Sequence, residues 1–368
     1  MRNDKKLLFL VPAPSSRGGI NNYFQVLKGK LSYDVFYFTR GARTWPYRKN
    51  FFKEIFRALK DLQNFRKKIR TEVFDLVQTS TSLSSLSIIR DGLFILLAKR
   101  HNIKVIVFFR GWHLISERLI ERRFLPIFKR VYFNTDACIT LSDDFKQKLI
   151  EWGYPQEIFI ETTIAKTPRV KKIDKAYLLN KYKNNRNSII YLLFLARIEP
   201  DKGIYVTLDV FNILKINFPF LKLNIAGDGK ELDAAKKYTK ENGIHDVTFL
   251  GHVTQGAKED VFTSSHIFIF PSSHGEGMPN AVLEAMAYGL PVVSRPIGGL
   301  KQIIVQGKNG YLTESKDPKI IADITSKLLI DWDNTKNIAL NNYSVARKNF
   351  TTPAVVKRLE VIYDRILK

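Results

Sequence analysis

Apolar residues gather along the chain in short unbroken runs, separated by longer stretches where they recur every three or four positions. LLFLVP at 7–12 is the first run, followed by a glycine-bearing loop and a helical pattern from about Ile20. Further runs of strand length are DVFYF (34–38), VFDLVQ (73–78), KVIVFF (104–109), ACITL (137–141) and IFIETT (158–163). A second series opens with SIIYLLFLA (188–196) and continues with LKLNIAG (221–227), VTFLG (247–251), IFIF (267–270) and PVVS (291–294). Runs that are apolar throughout suit strands covered on both faces. Helices between successive strands then call for parallel sheets with right-handed crossovers. The pattern predicts an α/β protein of two doubly wound, Rossmann-like domains in tandem, facing across a cleft. Ligands in such sheets sit beyond the carboxyl ends of the strands, where the strand order reverses.

Between the two series, residues 166–187 are polar and rich in Lys and Asn, a composition that suits a linker. The expected division is a first domain over 1–170, a linker over 171–187 and a second domain over 188–352. A final helix over 353–368, with no strand after it, is expected to pack back on the first domain.

A length of 368 residues and 45% apolar content fit two ordinary cores. No apolar run reaches the ~18–20 residues of a membrane-spanning helix. The charged start, Met1 to Lys6, does not read as a signal peptide. A single cysteine, Cys138, excludes an internal disulfide and any cysteine-cluster metal site, and it reads as a small core residue. These features point to a cytoplasmic protein.

Charge alters this picture. The net formal charge is +24, and residues 1–187 hold 37 Lys and Arg against 16 Asp and Glu. Nearly all the excess therefore lies in the first half, where it favours an anionic partner. Within it, 51–70 (FFKEIFRALKDLQNFRKKIR) carries Phe52, Ile55, Phe56, Leu59, Leu62, Phe65 and Ile69 on one helical stripe, with Lys and Arg on the other faces. Such a helix either packs on the sheet or lies on an anionic bilayer. A second basic cluster follows at 117–130. Peripheral association with the inner face of the membrane is the expectation drawn from both clusters.

The segment richest in chemistry is PSSHGEGMPNAVLEAMAYGLPVVS (271–294). A strand ends at Phe270, a glycine loop carries Glu276, and a helix begins near Pro279, contains Glu284 and stops at Gly289. A glycine loop feeding a helix N-terminus offers unpaired N–H groups and a positive dipole end to a diphosphate. In isolation, the two glutamates fit a helix cap and an exposed helical charge better than a ligand site. They are not isolated. LARIEPDKG (195–203) places Arg197 and Lys202 at the end of another strand, where both could neutralise a diphosphate. IAGDGKEL (225–232) gives a glycine turn without Walker spacing, and PAPSSRGGINN (12–22) puts Gly18 and Gly19 after the first strand.

The set RIEPDKG, GDG, HGEGMPNAVLEAMAYGLPVVS and RGG resembles the family 4 glycosyltransferases, the large retaining group with GT-B architecture. The likeness is strongest over about 188–312. It implies an enzyme that moves a sugar from a nucleotide-sugar donor, UDP- or GDP-linked, to a glycan or lipid-linked acceptor in cell-surface polysaccharide or glycolipid synthesis. Arg197 and Lys202 would hold the donor diphosphate, and Glu276 would face the donor sugar. Gly277, Met278, Pro279, Asn280 and Ala281 would border it, with Gly227 and Asp228 nearby. Glu284 would bind the ribose, and Gly18 and Gly19 would approach the diphosphate from the first domain. The family often carries a His-Gly pair at the end of the fourth strand, where this chain reads VFFRGWHLI. Either Arg110 replaces that histidine or His113 reaches the site from a shifted loop. Alternatively, His113 opens a helix and Arg110 contacts an acceptor phosphate.

No metal or other cofactor is expected. The lone DxD, Asp331-Trp332-Asp333, lies between late helical segments and reads as a loop or cap. Two rival functions are a nucleotide-sugar epimerase of the same fold and a basic nucleic-acid-binding protein. No nucleic-acid motif supports the second, so nucleic acid is not an expected partner.

Overall fold

The computed structural model describes residues 3–14, 19–41, 51–166, 173–183 and 188–368. They form two compact units. The first is Met1–Ile164 with Gly275–Met278 and Thr352–Lys368, and the second is Ala165–His274 with Pro279–Thr351.

The first unit contains β1 (Asn3–Val11), β2 (Tyr33–Thr39), β3 (Leu76–Leu83), β4 (Lys104–Trp112), β5 (Ala137–Thr140) and β6 (Glu157–Ile160), all parallel in the order β2-β1-β3-β4-β5-β6. Leu7 to Leu10 are fully buried, as expected of a central parallel strand. Between the helices and the sheet lies an aromatic core in which Phe65 meets Phe94 edge-on at 5.0 Å and Trp112 stacks on Phe145 at 4.7 Å. Cys138 is buried in this core.

Strand β3 departs from the expected 73–78. It starts later and runs on through a polar stretch, and Gln78, Thr79, Ser80 and Thr81 are all buried. An apolar pattern cannot mark a strand whose buried positions are polar, some of them answered by hydrogen bonds. The Tyr363 hydroxyl, for example, donates to Gln78 Oε1 at 2.8 Å. Tyr363 lies on the terminal helix Thr352–Leu367, which belongs to this unit. The same helix sends Arg358 as a fork to the buried Glu161 at 2.5 and 2.9 Å.

The second unit contains β7 (Ile190–Leu195), β8 (Leu221–Ala226), β9 (Val247–Gly251), β10 (Ile267–Phe270), β11 (Val292–Ser294) and β12 (Gly310–Leu312), again all parallel, in the order β12-β11-β10-β7-β8-β9. The three-residue edge strand β12 was not among the expected elements, because so short a run leaves no pattern. Within the stretch expected as a linker, Lys175–Lys181 is a helix, capped by Asp174, whose carboxylate accepts the Tyr177 N–H at 2.8 Å. Its Leu178 and the following Tyr182 are buried against Ala339. Residues 167–172 and 184–187 lie outside the described set.

Candidate functional site

Strand order in the second sheet reverses between β7 and β10. The connections leaving their carboxyl ends therefore diverge and open a crevice there. The loop after β7 carries Arg197 and Lys202, and the loop after β10 leads to the helix Asn280–Ala287.

Main-chain contacts fix the first of these loops. Ile198 N–H donates to Asp228 O at 3.1 Å, and Glu231 N–H donates to Ile198 O at 3.2 Å. So close an approach needs glycine: a Cβ on Gly227, which sits at φ +148°, would fall 1.8 Å from the Ala196 oxygen. Asp228 accepts the Gly229 N–H at 2.8 Å. Gly227 and Asp228 thus have a structural role, beside the donor contact expected of them. Arg197 is exposed and pairs with Glu199 at 2.9 Å. Lys202 ends the short turn Pro200–Lys202 and is only 5% exposed.

Asp201 ties the two loops together. Its main-chain oxygen accepts the N–H groups of Ser273 at 2.8 Å and His274 at 3.1 Å. Its carboxylate meets His274 Nδ1 at 2.5 Å. Burial pushes this carboxyl's pKa up, but His274 and the nearby charges of Lys202 and Arg197 outweigh it and hold the group below its usual range. Gly203, at φ +87°, completes the junction, since a Cβ there would lie 2.7 Å from the Pro271 oxygen. Sequence reading did not single out Asp201 or His274, which pair across 73 residues of chain.

Pro279 caps the helix Asn280–Ala287 in an extended conformation, one position before the first helical turn assigned to it from sequence. The first N–H groups of this helix, at Asn280 and Ala281, have no acceptor within the helix, as at any helix start. Asn280 Oδ1 is buried without a hydrogen-bond partner. Glu284 is not an exposed helical charge: it is buried and forms an ion pair with Lys258 of the helix Gln255–Ser264. No local signal marks Lys258, because the two residues meet only through the fold. Glu276 is half-buried, and Gly277 and Met278 are buried; all three fall in the segment that belongs to the first unit.

In the first unit, Gly19 opens the helix Gly19–Leu27 and is exposed, while Gly18 lies outside the described residues. His113 is exposed at the start of the helix Leu114–Leu119. Arg110, by contrast, is buried, with its guanidinium 3.9 Å from the centre of the Tyr23 ring. Asp331 caps the helix Trp332–Asn349 by accepting the Asn334 N–H at 3.0 Å. Among the described residues no group of three His, Cys, Asp or Glu side chains is placed to hold a metal ion.

The sequence profile of the glycosyl transferases group 1 matches residues 179–345, and that of glycosyltransferase family 4 matches 27–160. The capsular polysaccharide biosynthesis glycosyltransferase CapM of Staphylococcus aureus is 26% identical over 247 residues, 65% of this chain and 64% of that protein. The match thus spans a little under two thirds of that relative's length. Among solved structures, sucrose-phosphate synthase of Thermosynechococcus elongatus superposes with a TM-score of 0.77 at 16% identity, over 98% of this chain and 99% of that one. HepE of Anabaena, solved with UDP-glucose, gives 0.71 at 17% identity, over 98% and 99%. With two parallel-sheet domains and the RIEPDKG and EGMPNAVLEA segments at the carboxyl ends of β7 and β10, these matches show that residues 179–345 form a glycosyl transferases group 1 domain and that the chain has the GT-B fold.

Proposed function

We propose that this protein transfers a sugar from a nucleotide-sugar donor, UDP- or GDP-linked, to a glycan or lipid-linked acceptor in polysaccharide or glycolipid synthesis. The observation that carries this reading is the pair of cations, Arg197 and Lys202, on the loop after β7. They stand at the same strand-order reversal as the helix start after β10. Two cations and a helix N-terminus form a receptor for a departing diphosphate. Arg197 would take an oxygen pair through its fork and Lys202 would act as a buried point charge. Glu276 would face the sugar, and Glu284, oriented by Lys258, would accept ribose hydroxyls.

Retention would follow from attack on the face that the diphosphate leaves, with a diphosphate oxygen accepting the acceptor's proton. No protein nucleophile or metal is then required. Catalysis would rest on positioning and on electrostatic stabilisation of the separating charges. A thermal-shift panel of UDP, GDP and ADP sugars, followed by product analysis with an acceptor, tests this reading. Stabilisation by one nucleotide-sugar class and a retained anomeric configuration are expected. Indifference to all of them refutes the assignment, and an epimerised sugar nucleotide formed without acceptor replaces it.

Membrane attachment belongs to the same proposal. The helix Phe51–Thr71 buries Phe65 and Ile69, but its first half exposes Ile55, Leu59 and Phe56, the last at 73%. It packs beside the helix Ser85–Arg100, which packs beside Leu125–Tyr132. Around the latter, Ile115 (84% exposed), Phe124 and Ile127 are interleaved with exposed Arg118, Arg122 and Arg123. Exposed apolar side chains set among cations fit the interface of an anionic bilayer. Sedimentation with phosphatidylglycerol vesicles at low salt should pull the protein down, and Phe56→Ser with Ile115→Ser should release it. Equal sedimentation of the double variant would remove this face from the reading.

A further inference from the structure

Strand β4 contains one residue more than its neighbour requires. Thr81 of β3 pairs with Phe109 and Ser82 pairs with Gly111, so Arg110 is the extra residue of a bulge. Bulges next to functional sites re-aim a side chain. Here the bulge lies at the carboxyl end of the sheet and turns the Arg110 guanidinium into a buried position. It lies 3.9 Å from the Tyr23 ring centre and 4.6 Å from that of Phe108, and the residue is 8% exposed. Two aromatic faces accommodate a cation but accept no conventional hydrogen bond. Arg110 Nε and Nη1 are both buried and make no well-aligned hydrogen bond, and the polar neighbour of the guanidinium is the Tyr23 hydroxyl.

Glu161, the carboxylate whose charge acts on Arg110, is already committed. Glu161 receives the fork of Arg358, and its Oε2 also accepts the Thr162 N–H at 2.9 Å. Arg110, Arg358 and Glu161 together leave one positive charge over. Burial lowers the Arg110 pKa, with Tyr23 and Glu161 opposing that effect. A buried guanidinium with poorly paired donors is a costly arrangement for a fold to keep unless a ligand completes it.

We propose that Arg110 is the receptor for an oxyanion, a phosphate or carboxylate group, carried by a ligand of the first unit. Its charge and N–H donors match one such group, which would cancel the surplus charge and satisfy the donors. The assignment rests on the first unit alone and stands or falls independently of the sugar-nucleotide panel.

Calorimetric titration of the full chain at low ionic strength, with inorganic phosphate and separately with sodium glucuronate, tests it. Wild type, Arg110→Met and Arg110→Lys are compared, and the arginine Nε–H resonances of wild type are followed by NMR in parallel. Saturable binding of at least one anion is expected, with the Arg110 resonance shifting. Affinity should drop about tenfold or more in the Met variant and recover in part with Lys. A response to phosphate alone assigns a phosphate-bearing ligand, and a response to glucuronate alone assigns a carboxylate-bearing one. Arg110→Met binding both anions as wild type does would overturn the proposal. So would an Arg110 resonance unmoved by either anion, a readout that holds even if the Met variant fails to fold.

Discussion

Lys258→Met is the substitution whose cost follows most directly from the structure. Glu284 is 5% exposed and its ion-pair partner is Lys258, 26% exposed. Removing one member of a fully buried pair costs about 3–5 kcal/mol, because the other charge is left without compensation. Lys258 keeps part of its surface in water, so the pair is partly screened and a loss of about 2–3 kcal/mol is expected. In a domain of this size each kcal/mol moves the melting temperature by about 2–4 °C, which makes the drop about 4–12 °C. Differential scanning calorimetry reads it. Glu284→Gln removes the charge but keeps the shape, and Lys258 can turn to solvent, so this variant should lose only about 1 kcal/mol. The double variant should then be more stable than Lys258→Met alone, since no buried carboxylate remains. If Lys258→Met melts within about 1 °C of wild type, or if the double variant is the least stable of the set, the buried pair does not carry the energy argued for it.

Three further outcomes are expected. Glu284→Gln should weaken donor binding about 10–100-fold by calorimetry, the loss of one charge-assisted hydrogen bond to a ribose hydroxyl; unchanged affinity would remove Glu284 from the donor site. Lys202→Met should lower sugar transfer about 100–1,000-fold with little change in circular dichroism, as for the loss of one preorganised charge-stabilising group; near-wild-type turnover would show that the diphosphate lies elsewhere. His266 supplies a pH test: burial, helped by the charge of Lys181, lowers its pKa to about 3, and its Nδ1 accepts the Tyr191 N–H at 3.1 Å. An unfolded histidine titrates near about 6.5. Between these values the unfolded chain binds a proton that the folded chain does not. The contribution is therefore full above about pH 6.5 and is lost as pH falls toward 3. His266→Gln should flatten the rise of melting temperature between about pH 4 and 6, whereas an unchanged slope would assign it to other groups.

How far the sequence reaches depends on the kind of interaction that holds each element. Strand β10 matches its apolar run residue for residue, because burial on both faces leaves an uninterrupted signature. Strand β3 is misread because its buried positions are polar, with Gln78 answered by a partner as distant as Tyr363. The helix 51–70 is legible as a helix, but which apolar residues it buries is not. Phe65 and Ile69 enter the core, and Phe56 stays outside it, by virtue of what packs beside them.

Local order in the chain determined two parallel-sheet domains and placed Arg197, Lys202, Glu276 and Glu284 on the connections that follow particular strands. Period, length and turn chemistry are properties of neighbours in sequence. Tertiary structure alone decided that Asp201 grips His274, that Lys258 compensates Glu284 and that a bulge buries Arg110 against Tyr23. Each of these joins residues of separate elements, and a single chain read in one dimension holds no record of which charges the folded molecule will bring together.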